Sequence, residues 1–314
     1  ERQSAINDVL LAAADAYWEW TVAFNQLLVY ERALAVAGQR FEGIVESYRL
    51  GDKPAIDTLE TFILYQNRQF NLNQARLDFR NAGLRLSNFL WMEGNIPVEV
   101  GPELRPPVLT DQMTQTPLPP VEAFLDQFDQ RHPNLRAIQV KRSSLEVDRR
   151  LAAEQLKPRL DLEYNFLSSG SNFLYTPQNG DISNPFSQLL TQNYKWGLKF
   201  GFPLFLRKER GKLELTRIKI SDTELKLQQK RLELTNKVRN NYNELQTLQD
   251  QIRLYTNIVD NYDQLLQAEI RKFAIGESSI FLINAREQKL IEAQLKLADL
   301  QTKFFKSQAK LEWA

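Results

Sequence analysis

A stretch of 64 residues, from Lys212 to Ile275, contains neither glycine nor proline. Apolar residues recur every seven positions within it, which is the pattern of a helix that packs along its length against other helices. Such a helix is about 95 Å long, whereas an ordinary globular core is only ~30–40 Å across. The chain is therefore expected to build something elongated, which argues against most enzyme folds. The recurring residues are Val238, Leu245, Ile252, Val259, Leu266 and Phe273, with Leu248, Tyr255 and Tyr262 between them.

The composition argues against several kinds of function. The 40 lysines and arginines nearly balance the 39 acidic residues, so no net charge favours nucleic acid or an anionic membrane surface. The chain has no cysteine and one histidine, His132, so neither a thiolate metal site nor a histidine-based catalytic site is expected. The sequence contains no stretch of 18 uncharged apolar residues, so no transmembrane helix is predicted. The sequence indicates that the protein is not an enzyme.

The hydrophobic period changes between Pro158 and Pro203. In residues 159–166 and 194–202, apolar residues alternate with polar or very small ones, as in strands with one apolar face. Residues 168–192 between them predict a long loop. Two interpretations fit this pair, a half-buried hairpin of a soluble protein and part of a membrane barrel; the barrel is favoured because the long helices offer no soluble sheet to join. The lipid-facing set would be Leu160, Leu162, Tyr164, Phe166, Trp196, Leu198, Phe200 and Phe202, and the lumen-facing set Asp161, Glu163, Lys195 and Lys199.

The end of the chain repeats a pattern found near its beginning. Residues 48–60 and 273–284 each contain an aromatic residue, then a glycine followed by an acidic residue, then the start of a helix. Either glycine, Gly51 or Gly276, could by itself be an ordinary helix C-cap. Because the whole flanking pattern recurs, the sequence predicts a duplicated unit of helix, hairpin and helix.

In this order and spacing the motifs resemble the outer-membrane efflux proteins of the TolC type. The resemblance covers essentially the whole chain, and its specificity comes from the order of the motifs rather than from any single one. The matching segments are the two glycine–acid tips, the helix start His132-Pro133-Asn134-Leu135, the strand start Pro158-Arg159-Leu160, and Phe202-Pro203-Leu204-Phe205 before the very long helix.

The resemblance implies a mainly α-helical fold with one β-hairpin. Its long α-helical hairpins would form a trimeric coiled-coil tunnel, and its strands would contribute to a membrane β-barrel. Members of the family supply two strand pairs per subunit, whereas this sequence shows one. The first repeat also lacks its initial helix and hairpin, so the chain is expected to lack the N-terminal third of the protein, which would lead into Glu1.

The same resemblance implies a passive exit duct in the outer membrane of a Gram-negative bacterium, with its tunnel in the periplasm. Such a duct serves a tripartite efflux or type I secretion system and is gated at the periplasmic helix tips. The expected partners are two further copies in a homotrimer, a periplasmic adaptor protein, an inner-membrane pump and outer-membrane lipid. No cofactor, metal or nucleic acid is expected.

Two other classes of protein remain as alternatives. A periplasmic adaptor also has a long helical hairpin, but compact β-rich domains should flank it. A structural coiled-coil tether would need no alternating strands. Two hairpin tips together with a strand pair favour the duct.

The sequence divides into five segments at prolines, glycines and changes of hydrophobic period. They are the first-repeat helical hairpin of the tunnel (1–94), a proline-rich connector (95–131), a helix of the second repeat (132–157), the membrane β-hairpin (158–205) with its external loop (168–192), and the second-repeat long helical hairpin of the tunnel (206–314).

By the resemblance, the gate lies just after Gly51 and Gly276. Asp57 and Glu60 are three positions apart and share a helix face, and three-fold symmetry would make each of them a ring of carboxylates that favours cations. The alternative is that they only complement the helix dipole, at about 0.3–1 kcal/mol each. The predicted gate and selectivity residues are Asp57, Glu60, Asn284 and Lys53.

The adaptor is expected to dock on the same tips. Exposed small residues there, such as Ser278 and Ser279, would let a helical hairpin of the adaptor approach closely. The predicted docking residues are Gly51, Asp52, Gly276, Glu277, Ser278 and Ser279.

Overall fold

The computed structural model of the chain describes residues 2–101, 103–114, 117–125, 132–166, 194–201 and 205–313. Contacts between residues divide the chain into two units. The first unit comprises Glu1–Asn134 and Arg231–Ala314, and the second comprises Leu135–Lys230.

Helices α1 (Arg2–Arg49) and α2 (Ala55–Ser87) form an antiparallel hairpin in the first unit. Phe41 of α1 contacts Phe62 of α2 near the turn, with ring centroids 5.3 Å apart. Buried alanines line the rest of the hairpin, because alanine is the best helix former and its small side chain lets two helices approach closely. The buried alanines are Ala16, Ala23, Ala33 and Ala37 of α1 and Ala75 and Ala82 of α2.

The predicted heptad seam is confirmed in the first unit. After α3 (Pro133–Glu154), the chain forms α4 (Arg207–Ala274), which is 68 residues long, and α5 (Ile280–Trp313), which is 34 residues long. Leu245 and Ile252 of α4 are buried in one cluster with Phe304 of α5. Each fully buried side chain of this kind contributes roughly 1.5–3 kcal/mol. Two clusters follow the seam: Val238, Leu245, Leu248, Ile252, Leu300, Phe304, Phe305 and Leu311, and then Leu266, Ile283 and Leu290.

The segment after α2 is attached to the helices of the first unit. It contains two very short strands that the sequence did not predict, β1 (Trp91–Met92) and β2 (Ile96–Pro97), which pair in antiparallel orientation. A 3₁₀ turn follows at Asp111–Thr114. Just before that turn, the backbone N–H of Leu109 donates a hydrogen bond to Oδ1 of the buried Asn25 at 3.0 Å. This bond fixes the proline-rich segment to α1.

The second unit contains most of α3 (Pro133–Glu154), the strands β3 (Arg159–Phe166) and β4 (Tyr194–Gly201), and the first turns of α4. Arg142 of α3 forms an ion pair with Glu224 of α4 at 2.7 Å. Both side chains are about half exposed, so this pair orients the two helices more than it stabilises them.

Strands β3 and β4 pair as an antiparallel hairpin, which confirms the two predicted strands. Leu162 lies opposite Leu198, and Asp161 lies opposite Lys199. Because side chains alternate between the two faces of a strand, this register places the apolar residues on one face and the charged residues on the other. Phe202, predicted as the last apolar residue of the pair, lies outside the described residues.

Candidate functional site

Both predicted tips are tight turns, and the first lies between α1 and α2. Gly51 has a φ of 84°, which is the left-handed conformation that glycine adopts without steric cost. Its N–H donates to the carbonyl of Tyr48 at 3.0 Å, and the N–H of Asp52 donates to the carbonyl of Ser47 at 2.9 Å. These two bonds form a Schellman motif, which satisfies the last carbonyls of α1.

The second tip, between α4 and α5, repeats this geometry. Gly276 has a φ of 83°. Its N–H donates to the carbonyl of Phe273 at 3.1 Å, and the N–H of Glu277 donates to the carbonyl of Lys272 at 2.9 Å. The repeated sequence pattern therefore corresponds to a repeated backbone structure.

The two tips contact each other through three of the predicted gate residues. Lys53 Nζ lies 4.4 Å from the centroid of the Phe273 ring, a cation–π contact between the two turns. The amide nitrogen of Asn284 donates to Oε1 of Glu60 at 3.3 Å. The two hairpins are thus joined at their ends by contacts of residues that the sequence analysis predicts to form the gate.

Asp57, the fourth predicted gate residue, lies in the first turn of α2. It is half-buried, and its backbone carbonyl accepts a hydrogen bond from the Thr61 hydroxyl at 2.9 Å. Within the described residues its carboxylate has no ion pair or hydrogen bond. The position suits the helix-dipole interpretation, and a carboxylate without a protein partner suits the ring interpretation as well.

The two predicted docking serines differ in environment. Ser279 is exposed, as expected, but Ser278 is half-buried. The Ser278 hydroxyl donates to Oε1 of Glu269 at 2.6 Å, and Nε of Arg286 lies 3.7 Å from Oε2 of the same buried carboxylate. Ser278 therefore links the second tip to α4 by a hydrogen bond, which corrects the expectation that it is freely exposed.

A buried ionic cluster that the sequence analysis missed lies where α1, α2 and α5 meet. Both terminal nitrogens of Arg40 donate to the Glu287 carboxylate, at 2.9 and 3.1 Å. Arg68 Nη2 lies 3.8 Å from the same carboxylate, and Arg68 Nη1 donates to Gln288 at 2.8 Å. Arg40 also donates to Oδ1 of Asn284 at 3.0 Å, so the cluster reaches the predicted gate residues.

The cluster holds one negative charge between two positive ones in a poorly solvated place. The side chains of Glu287 and Arg68 are only 5% and 3% exposed, and that of Arg40 is 12% exposed. Burial lowers the pKa of Arg68; Glu287 opposes this shift and Arg40 adds to it. Burial also raises the pKa of the neighbouring Tyr30 hydroxyl, against the influence of Arg68. Glu287 is therefore the counter-charge that lets both arginines stay buried.

The sequence did contain a signal for this cluster. Glu287 occupies a position between Ile283 and Leu290 at spacings of four and three, which is the core register of α5. Arg68 occupies a similar position four residues before the buried Leu72 of α2. A charged residue in a core register predicts a buried ion pair, although the partner cannot be read from the register alone.

The apolar face of the β3–β4 hairpin is exposed in the second unit. Six large side chains on it are between 52% and 72% exposed, whereas a soluble protein rarely leaves a contiguous apolar surface of this kind uncovered. The side chain of Phe166 lies outside the described part of the chain. The six exposed residues are Leu160, Leu162, Tyr164, Trp196, Leu198 and Phe200.

The opposite face of the hairpin is ionic. Lys199 of β4 pairs with Glu163 of β3, and Arg159 pairs with Asp161 at 2.9 Å. Lys195 is exposed. All of these side chains remain accessible to water, so they make this face hydrophilic without adding much stability.

Two features are absent from the described residues. No helix in these parts of the chain is long and apolar enough to cross a membrane. The described residues also contain no group of three or more histidine and acidic side chains arranged to hold a metal ion.

Comparison with known proteins assigns the family. A model of the outer membrane efflux protein family matches residues 124–314, which is more than half of the chain. The chain belongs to the outer membrane efflux protein family. This family is one of efflux channels and not of enzymes, in agreement with the resemblance noted from the sequence.

Solved structures of outer-membrane channels share the fold. The CmeC channel of Campylobacter jejuni is 14% identical, with a TM-score of 0.69 over 99% of this chain and 62% of CmeC. The MtrE channel of Neisseria gonorrhoeae, in an open state, is 13% identical, with a TM-score of 0.72 over 99% and 66%. A membrane protein from Pseudomonas aeruginosa is 15% identical, with a TM-score of 0.74 over 99% and 69%. The chain spans about two thirds of the length of these three proteins.

The search of curated proteins gave no match.

Proposed function

We propose that the protein is a passive exit duct of the outer membrane, built from three copies of the chain. The observation that carries this proposal is the β3–β4 hairpin, which exposes six large apolar side chains on one face and carries ion pairs on the other. A membrane barrel needs an apolar outer face and a polar lumen. Asp161, Glu163, Lys195 and Lys199 would then line the lumen, and the apolar side chains would contact lipid.

The paired helical hairpins would form the wall of a periplasmic tunnel. Each copy supplies two hairpins with equivalent turns, so three copies would bring six similar hairpins around one axis. Membership of the efflux-channel family supports this arrangement, together with delivery from an inner-membrane pump through a periplasmic adaptor. The adaptor would dock on the tips, where Asp52, Glu277 and Ser279 are exposed.

The gate would lie at the contact between the tips. Glu60, Asn284 and Lys53 contribute to that contact, and the Asp57 carboxylate has no partner among the described residues. With three-fold symmetry, Asp57 and Glu60 would become rings of negative charge, which favour cations in other pores.

The proposal is tested on the full-length protein purified with and without detergent. A detergent-dependent particle with the mass of three copies, which forms conducting pores in a planar bilayer, is expected. A protein that stays soluble and monomeric without detergent, or that never conducts, would instead fit an adaptor or a tether and would contradict the proposal.

A further inference from the structure

We propose that a cleft in the first unit binds a small anionic amphiphile, meaning a molecule with an apolar body and a negatively charged head group. The cleft lies between α1, α2, residues 99–101 and Arg105, and has a volume of about 470 Å³. Small-molecule sites typically measure ~300–1,000 Å³ and combine apolar walls with a few polar groups. This inference does not rest on the proposed duct.

The floor of the cleft is aromatic. Trp20 stacks on Phe79 with ring centroids 6.0 Å apart and planes 12° apart, and Phe24 contacts Phe79 at 5.5 Å. Gly83 lines the cleft next to this floor, where a Cβ would make an ordinary contact with Trp20, 3.5 Å from Nε1. An apolar body that entered the cleft would therefore meet ring faces and edges, which are favourable contacts for another ring or an alkyl chain.

The floor also carries one polar group without a protein partner. Trp20 is only 7% exposed, and none of the hydrogen bonds among the described residues involves its indole N–H. This N–H is not among the fully buried polar atoms that lack a partner, so it is accessible to solvent. Because Trp20 lines the cleft, an acceptor atom of a bound molecule could replace water at this N–H.

The rim of the cleft is charged, with cations in excess. Arg76, Arg80 and Arg105 line it together with Glu31 and Glu99, and none of these five side chains has an ion pair within the described residues. Arg76 and Arg80 are four positions apart on one face of α2, where like charges destabilise a helix. The Arg105 guanidinium lies 5.8 Å from the centroid of the Phe24 ring, so a positive charge reaches the aromatic floor.

An anionic head group is the partner that these features fit. Arginine binds carboxylates, sulfonates and phosphates by paired N–H donors, and the repulsion between Arg76 and Arg80 would fall on binding. A neutral ligand would gain binding energy only from the aromatic floor and would leave the repulsion between the rim arginines in place. A cationic ligand would meet three arginines against two glutamates.

The test uses naphthalene-2-sulfonate as the probe, titrated into the purified full-length protein and followed by calorimetry. The uncharged naphthalene-2-sulfonamide serves as the matched ligand. Binding of the sulfonate at least tenfold tighter than the sulfonamide is expected. Equal binding of the two, or no binding of the sulfonate, would overturn the proposal.

Two variants locate the binding. Arg76→Gln with Arg80→Gln should weaken the sulfonate at least tenfold and leave the sulfonamide unchanged. Gly83→Leu should fill the cleft and weaken both, while Gly83→Ala, which introduces only ordinary contacts, controls for folding. Arg239→Gln removes an exposed arginine of the same unit that does not line the cleft, so this variant should bind the sulfonate like the unchanged protein. A tenfold loss of affinity in this variant would show that the sulfonate responds to the overall charge of the protein, and would refute the site.

A further outcome concerns assembly. If a second copy of the chain covers the cleft, the probe would not bind, and Gly83→Leu would dissociate the trimer. That result would overturn the ligand site but would leave the proposed duct intact, since the conductance of the unchanged protein is measured separately.

Discussion

The Glu287 carboxylate accepts hydrogen bonds from both terminal nitrogens of Arg40 and lies 3.8 Å from Arg68 Nη2. A single negative charge therefore balances two buried positive charges. Glu287→Gln keeps the shape of the side chain but removes the carboxylate charge that both arginines contact. Removing one partner of a buried ion pair typically costs ~3–5 kcal/mol. A loss of this order in the free energy of unfolding is expected in guanidinium titrations of the full-length protein.

Glu312 provides the control on the same helix. Its side chain is exposed and accepts a hydrogen bond from Gln308 at 3.4 Å, away from the cluster, so Glu312→Gln should leave the unfolding midpoint unchanged. If the two variants unfold at the same denaturant concentration, the cluster has no special role in joining the three helices.

A second residue-scale prediction concerns ion selectivity. Asp57→Asn with Glu60→Gln removes both predicted carboxylates while preserving side-chain size, and the Glu60 replacement can still accept from Asn284. Lower cation preference is expected as a shift of reversal potential toward zero in a salt gradient across a bilayer. Asp78→Asn, an exposed change on the same helix away from the tip, should leave the potential unchanged. An unaltered potential in the double variant would mean that these carboxylates only complement the helix dipole.

At the scale of elements, the β3–β4 hairpin should depend on its apolar face. Leu162→Arg or Phe200→Arg places a charge against hydrocarbon, which costs roughly 2–4 kcal/mol near the bilayer midplane. A reduced yield of detergent-stable trimer on non-denaturing gels is the expected result. Normal assembly with either arginine would show that this face does not contact lipid.

The ionic face of the same hairpin supplies the comparison. Glu163→Lys alone would place two like charges beside each other, whereas Glu163→Lys with Lys199→Glu restores the pair that the structure contains. The double reversal should assemble as well as the unchanged protein. Its failure, combined with tolerance of Phe200→Arg, would reverse the assignment of the two faces.

The long elements were predictable because their signals are local. The seven-residue period around Leu245 and Ile252 depends only on which residues share a helix face. The glycines at 51 and 276 mark the tips because few other residues accept their positive φ. Strict alternation in 159–166 is enough to predict a strand.

The candidate site was less predictable because its contacts join distant parts of the chain. The core register makes Glu287 a candidate for a buried ion pair, but Arg40 is 247 positions away and no local rule selects it. Ser278 looked like an exposed docking residue because its partner, Glu269, lies nine positions earlier in α4 and is brought to it only by the fold of the turn. The pairing of β1 with β2 was missed because two-residue strands have no period to detect.

At the scale of the whole molecule, the first unit connects its two hairpin tips with its buried interior. Asn284 receives a hydrogen bond from Arg40 of the buried cluster and donates one to Glu60. A displacement of α5 relative to α2 would therefore disturb both the tip contact and the pairing of Glu287. Packed helices switch between discrete arrangements more readily than they deform, so if the tips open as proposed, their opening should be a two-state event.

If the tips form the gate, tethering them should hold the pore closed. The described chain has no cysteine, so Glu60→Cys with Asn284→Cys introduces a single thiol pair at the tip contact. A short bifunctional thiol reagent that is cleaved by reductant should abolish openings in single-channel recordings, and reductant should restore them. Gln26→Cys with Asp299→Cys is the matched pair, because those side chains join α1 to α5 by a 2.9 Å hydrogen bond outside the tips. Cross-linking there should leave the openings unchanged; if it closes the pore equally, or if the tethered tips still open, the gate lies elsewhere.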